Sequence, residues 1–140
     1  MGRESNLWKR VREGMKDHWE ATRIECHSAL GVPDVYYTMK GSGSMGWLEL
    51  KRLEEWPKRI NTRIKIQHFT PQQRNFIKDH GKLGANVFML LQVEEDHLLL
   101  TWKTCCYLYD GLFNKRELIQ IAEYTCPGKL DFDLLSFILN

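Results

Sequence analysis

The apolar positions change period several times along the chain, and each change marks an element. Leu7, Val11 and Met15 recur every four residues, flanked by Trp8 and Trp19, so residues 5–19 predict an amphipathic helix. Glu4 stands at its start, where a carboxylate suits the free N–H groups, and Gly14 weakens its interior. "ATRIECHS" predicts a short strand, and Gly31 and Pro33 punctuate the chain before Asp34. "DVYYTM" and "GWLELK" are rich in strand formers and predict a hairpin, joined by the flexible turn "KGSGSMG". Residues 52–69 predict irregular chain, with Pro57 breaking any helix.

At Thr70 the pattern sharpens. "TPQQ" offers an N-cap threonine, a proline at the first helical position and Gln73 at the third, which predicts a capped helix running to about His80 and ended by Gly81. "NVFMLLQV" and "HLLLTW" predict two strands joined by "EED". The first is apolar nearly throughout, as in the centre of a sheet covered on both faces. Asn114 and Glu117 cap a predicted helix "KRELIQIAEY", and Asp131 caps a last one, "FDLLSFIL". The order α-β-β-β-α-β-β-α-α predicts an α/β fold: one domain over residues 1–140, with a mixed central sheet flanked by helices. Its core spans about 4–102, with a helical extension over about 103–140.

Composition narrows the class. A chain of 140 residues suffices for one domain, and 43% hydrophobic with 27% charged residues is the balance of a soluble globular protein. The formal charge of +2 is mild, so any nucleic-acid partner has to be argued from where the charges stand. No apolar run approaches a membrane span, and "MGRESNLWKR" lacks a signal-peptide core, so the expected location is cytoplasmic, with no membrane partner. Cys26, Cys105, Cys106 and Cys126 form no C-x-x-C pair and read as reduced thiols without zinc.

Candidate chemistry centres on residues 31–51. Glu49 and Lys51 lie two apart on a predicted strand, so both project to one face, with Leu48 and Leu50 on the other. The hairpin brings Asp34 towards Glu49. Two neighbouring carboxylates repel and are tolerated best with a cation between them. Hard oxygen donors select Mg²⁺ or Mn²⁺, and the Leu50 carbonyl offers a further oxygen. Lys51 would then orient or deprotonate a water, or stabilise a phosphate oxygen. The competing reading is a surface hairpin with solvated charges. Arg52, Lys58, Arg59, Arg63 and Lys65, with Trp56 beside them, read either as a DNA-backbone contact or as a solvated loop. His68, His80 and His97 show no metal spacing.

Gly31-Val32-Pro33-Asp34, then Trp47-Leu48-Glu49-Leu50-Lys51, then "FTPQQRNFIKDHGKLGANVFML" resemble the PD-(D/E)XK nuclease superfamily. Within it they are similar to the VRR-NUC group and small phage-encoded relatives, and the archaeal Holliday junction resolvases share the core. The resemblance covers about residues 4–93. It implies a restriction-endonuclease-like core, metal binding by Asp34 and Glu49, and a catalytic Lys51. Gln73 matches a recurring glutamine and reads either as a site residue or as a helix cap. An additional acid on the first helix falls on Glu4, with Glu25 on the following strand as its competitor. The linker from 52 to 69, with "EEWPKR", is longer than in simple members.

The implied function is a divalent-metal-dependent DNA endonuclease, structure-specific for Holliday junctions or other branched DNA in recombination and repair. The resemblance further implies a homodimer and a phage origin, with action in the host cytoplasm. The alternatives are a flap, nicking, exonuclease or restriction-type enzyme, or a non-catalytic DNA-binding module of the same fold. The intact Asp34, Glu49 and Lys51 speak against the last.

Overall fold

The amphipathic stripes of the helices need flat apolar surfaces to lie on, and the strands supply two, one on each side of a single sheet. The computed structural model describes residues 3–24 and 31–140, with side chains from residue 6 onward. In chain order the elements are α1 (Arg3–Met15), β1 (Trp19–Arg23), β2 (Val35–Met39), β3 (Met45–Leu53), α2 (Pro71–Lys82), β4 (Asn86–Val93) and β5 (Asp96–Thr101). They continue with α3 (Trp102–Tyr109), α4 (Lys115–Ile121), β6 (Tyr124–Pro127) and α5 (Phe132–Leu139). The sheet order is β1-β2-β3-β4-β5-β6. Among the described residues only the β3–β4 pair is parallel, with Glu49 opposite Met89 and Lys51 opposite Leu91; the other pairs are antiparallel. The expected mixed sheet flanked by helices is thus the one observed.

Strand alternation separates two cores. Leu48, Leu50, Leu90 and Leu99 join Leu7, Val11 and Met15 of α1 and Leu135 and Leu139 of α5 on one face. Met89, Leu91, Leu98 and Leu100 join Ile77 of α2, Cys105 and Leu108 of α3 and Leu118 of α4 on the other. α2 is fixed to its face by rings: Tyr36 meets Trp47 at 4.9 Å, Trp47 meets Phe76 at 5.3 Å, and Phe76 stacks on His80 at 3.9 Å. The capping box at its start is present as expected, with Gln73 N donating to Thr70 Oγ1 at 3.2 Å and Thr70 N donating to Gln73 Oε1 at 3.0 Å.

Several sequence expectations shift. The first helix stops at Met15 rather than 19; Trp19 instead opens β1, buried and stacked on Tyr37 at 5.5 Å. β3 runs on to Leu53 because β4 pairs with it in register that far. Gly81 does not end α2. It lies inside the helix against Trp102, and the turn falls at Gly84, whose φ of 93° suits glycine. Two elements were not expected. α3 starts directly where β5 ends, and β6 is a four-residue strand too short for its alternation to register. The segment from 103 on, expected as helices alone, therefore also supplies the sheet's last strand, and α4 ends at Ile121 rather than Tyr124.

The irregular segment 54–70 is pinned at three points. Trp56 is buried, its Nε1 donating to Asp96 Oδ2 at 2.7 Å and its backbone N donating to Glu94 Oε2 at 2.8 Å. Ile64 is fully buried and its N–H donates to Phe113 O at 2.8 Å. Phe69 is buried against the Tyr109 ring, 5.4 Å away. Trp56 is therefore an anchor in the core and not a platform for a base.

Gly81 allows α2 and α3 to approach closely, since a Cβ there would stand 2.2 Å from the Trp102 ring. Gly81→Ala should lower stability by about 1–3 kcal/mol, the usual penalty of overpacking, against the small gain in helix propensity. Urea denaturation of the two proteins measures the difference.

Candidate active site

The pairing of β2 with β3 positions the first acid. The register places Tyr36 opposite Trp47 and Val35 opposite Leu48, and carried one residue further it sets Asp34 against Glu49. Val35 belongs to the α1-side core, so Asp34, one residue away, takes the face of Tyr36 and Trp47. The pairing with β2 stops at Val35 while β3 continues, which leaves the flank of Leu50 without a strand partner on that side among the described residues. Asp34 fills the gap: its Oδ2 accepts the Leu50 N–H at 2.8 Å. In an extended strand a residue's N–H and C=O point to the same flank, so the Leu50 carbonyl faces this gap as well.

The approach to Asp34 is tight. Gly31, with φ of 89°, packs on the first turn of α2, where a Cβ would lie 2.4 Å from Gln72 O and 3.0 Å from Gln73 N. The "GVPD" loop and the start of α2 therefore fix each other, and the Gln73 Oε1 is held in the cap.

Glu49 and Lys51 share the face covered by α2, α3 and the 54–70 segment, as alternation predicted. Glu49 is 1% and Lys51 3% exposed. Lys51 Nζ lies 3.5 Å from Glu49 Oε2 and donates to His68 O at 2.6 Å. The surface-hairpin reading fails on this burial. The linker closes over the lysine with a backbone carbonyl. In the same cross-sheet rows stand Met89 and Leu100 beside Glu49, and Leu91 and Leu98 beside Lys51. Taking each charge out of water costs several kcal/mol, and apolar residues fill such positions as well or better. The pair is thus a poor contributor to stability in a row built for methionine and leucine.

The oxygens of Asp34, Glu49 and Leu50 form a hard donor set that fits a small divalent cation, which keeps several waters when few carboxylates hold it. Among the described residues no three His, Cys, Asp or Glu side chains cluster as a metal site. Glu4 lies on α1, with its side chain outside the described residues, and Glu25 lies outside them altogether.

The basic residues divide. Lys58, Arg59, Arg63 and Lys65 are exposed on the segment that covers Lys51, with Arg63 Nη1 donating to Leu112 O at 2.8 Å. Arg52, one residue past Lys51, points to the opposite face, near Arg10. It is not grouped with the others. A basic row was missed in the sequence: Arg74, Lys78 and Lys82 of α2 all lie near Cys106, and Arg74 stands 5.7 Å from the Tyr109 ring. Their four-residue spacing on a predicted helix was the readable signal.

Cys105 is fully buried beside this site. Burial pushes its thiol well up, and Cys106 and Glu49 push it further in the same direction.

No protein-family model matches the chain, and no curated protein matches it. Among solved structures it is similar to one described as a VRR_NUC domain, at 20% identity and a TM-score of 0.46, over 79% of this chain and 97% of that one. It is also similar to Hjc of Archaeoglobus fulgidus, a Holliday junction resolvase from an archaeal hyperthermophile. That match has 12% identity and a TM-score of 0.49, over 74% of this chain and 75% of the other.

Two outcomes test the reading of the buried pair. Glu49→Ala leaves Lys51 buried without its carboxylate and should cost about 3–5 kcal/mol, whereas Glu49→Met with Lys51→Leu should equal or exceed the parent in stability. Chemical denaturation of the three proteins checks this. Cys105, for its part, should resist iodoacetamide in the folded protein at about pH 8, while half-buried Cys126 reacts. The folded pKa of Cys105 is raised by burial, so the contribution of Cys105 to stability is complete below the unfolded thiol value of about 8.5 and is lost as pH rises through the folded value. Mass spectrometry of alkylated peptides reads the site.

Proposed function

We propose that the chain is a divalent-metal-dependent DNA endonuclease specific for the structure of branched DNA. The observation that carries this is Asp34, held on the Leu50 N–H beside a buried Glu49–Lys51 pair in rows that are otherwise apolar. Asp34, Glu49 and the Leu50 carbonyl would hold Mg²⁺ or Mn²⁺, with Glu4 or Glu25 as a further acid. Such an ion supplies a nucleophilic water at neutral pH and charge stabilisation for the leaving oxygen.

The chain's own residues do the rest. Lys51, fixed between Glu49 and the His68 carbonyl, presents an ammonium whose direction is already set. That preorganisation suits a group that orients a water or meets a phosphate oxygen. Gln73, at the start of α2 next to the "GVPD" loop, would touch the substrate from the other side. Phosphates along the strand would meet Lys58, Arg59, Arg63 and Lys65 above the lysine, and Arg74, Lys78 and Lys82 beside it. These contacts follow the backbone and do not read base edges, which favours recognition by shape. Leu134 and Phe137 stand exposed on α5, 43% and 77%, and offer an apolar face for the homodimer that two symmetric cuts in a four-way junction call for.

The test is a panel of linear, flap and four-way DNA with Mg²⁺, Mn²⁺ or EDTA. Branched substrates should be cut in metal and spared in EDTA, with paired symmetric nicks in the four-way junction. Asp34→Ala and Glu49→Gln should lose cleavage while keeping DNA binding, and Lys51→Ala should fall by about 10²–10⁴-fold. Binding should weaken steeply with salt. Binding without cleavage under every metal would leave only the non-catalytic module.

A further inference from the structure

The opposite face of the sheet carries a second polar row that the proposed chemistry does not use. On that face Leu50, Leu90, Leu99 and Tyr124 line up across four strands as an apolar layer. One step along the strands the layer changes character: Arg52, Gln92, His97 and Cys126 stand side by side in the same register. Gln92 and His97 are 8% and 2% exposed. Arg10 reaches down from α1 and ties them together, its Nη2 donating to Gln92 Oε1 at 2.6 Å and its Nη1 lying 3.0 Å from His97 Nε2.

Gln92 and His97 of this row, with Arg10, floor a cleft of about 750 Å³ between α1 and the segment that joins β6 to α5. That volume is in the usual range for a small-molecule site. One of its walls is apolar. Leu130 and the Phe132 ring form one side, and Gly14 lets the ring lie on α1, since a Cβ there would come 2.2 Å from it. A glycine inside a helix costs about 1 kcal/mol relative to alanine, and this close approach is what it makes possible. Lys9 and Lys129 add positive charge at the rim, and Glu13 and Glu95 are the carboxylates there.

Lys9, Arg10 and Lys129 set three cationic groups against the two carboxylates of the lining. Burial and the neighbouring Arg52 both lower the affinity of Arg10 for its proton, so two guanidinium groups press on each other. Among the described residues Arg10 contacts the Gln92 amide oxygen and the His97 imidazole, whose affinity for a proton burial and Arg10 itself both lower. An anion bound beside Arg10 would relieve that repulsion, and the adjoining Leu130 and Phe132 would cover an apolar or planar group attached to it.

We propose that this cleft binds a phosphate monoester carried on a planar ring system, of mononucleotide size, with the phosphate on Arg10 and Lys129 and the ring against Leu130 and Phe132. The site is independent of the Glu49 centre, from which the sheet itself separates it. A free mononucleotide and the phosphorylated end of a nucleic-acid strand share this chemistry.

Calorimetric titration of the full chain in EDTA, so that no metal bridges a ligand to Asp34 and Glu49, tests the assignment. The probes are deoxyadenosine 5′-monophosphate, deoxyadenosine, inorganic phosphate, and one oligonucleotide with and without a 5′ phosphate. The monophosphate should bind at least about tenfold tighter than either of its halves. Arg10→Gln and Lys129→Glu should each weaken it severalfold, and Glu49→Gln should leave it unchanged. Lys129 is exposed, so its variant reports even if Arg10→Gln unfolds. A preference for the 5′-phosphorylated oligonucleotide over its hydroxyl form identifies a strand end as the source; binding of the monophosphate without that preference identifies the free nucleotide. Absence of saturable monophosphate binding overturns the proposal. So does binding that both cleft variants leave intact, or that Glu49→Gln removes.

Discussion

The parallel pairing of β3 with β4, covered on both faces, is the constraint from which the rest of the arrangement follows. A strand in that position has no solvent side. Every residue from Leu48 to Lys51 is buried, including two that carry charge. Alternation then sends the apolar pair to the α1 side and the charged pair to the α2 side, and a slip of one residue would exchange them. The eight paired positions of β3 and β4 leave no room for such a slip without burying Arg52 and exposing Leu50 to the wrong layer. The placement of Glu49 and Lys51 is therefore a property of the sheet as a whole, not of the hairpin that contains them.

Both polar rows interrupt apolar layers, and both fall towards the carboxyl ends of the parallel strands. Ligands in open α/β sheets gather at those ends, where the chain leaves the sheet and the covering helices diverge. Here the two faces use that geometry differently. On one, α2, α3 and the pinned linker close over a compact charged pair. On the other, α1 and the β6–α5 segment stay apart and leave a cleft over Arg10, Gln92 and His97.

Much of this was readable in the residues, and the failures share a cause. Long segments with one period or a full capping box, such as α2 and β4, were placed to within a residue or two. The shared face of Glu49 and Lys51 followed from alternation alone. What could not be read depended on contacts between distant segments. Gly81 looks like a helix stop until Trp102 is known to lie against it, and Trp19 looks helical until Tyr37 claims it for the sheet. β6 is too short to show a pattern of its own and exists because β5 offers an edge. Arg52 looked like one member of a basic run, yet its position one residue from Lys51 sends it through the sheet to the other side. The closure of the linker on Lys51 involves a backbone carbonyl, which no residue type announces.

The bond from Asp34 to the Leu50 N–H has a consequence apart from chemistry. Beyond the pairing with β2, β3 has a flank that no described strand pairs, the kind of edge on which an extended segment from another molecule can add itself. A carboxylate seated on the amide takes away the donor that such a guest would need first, and it brings a negative charge to the place where the guest's own carbonyl would have to stand. The residue that looks like a ligand is thus also a guard on the sheet, keeping β3 from recruiting a foreign strand where β2 leaves off.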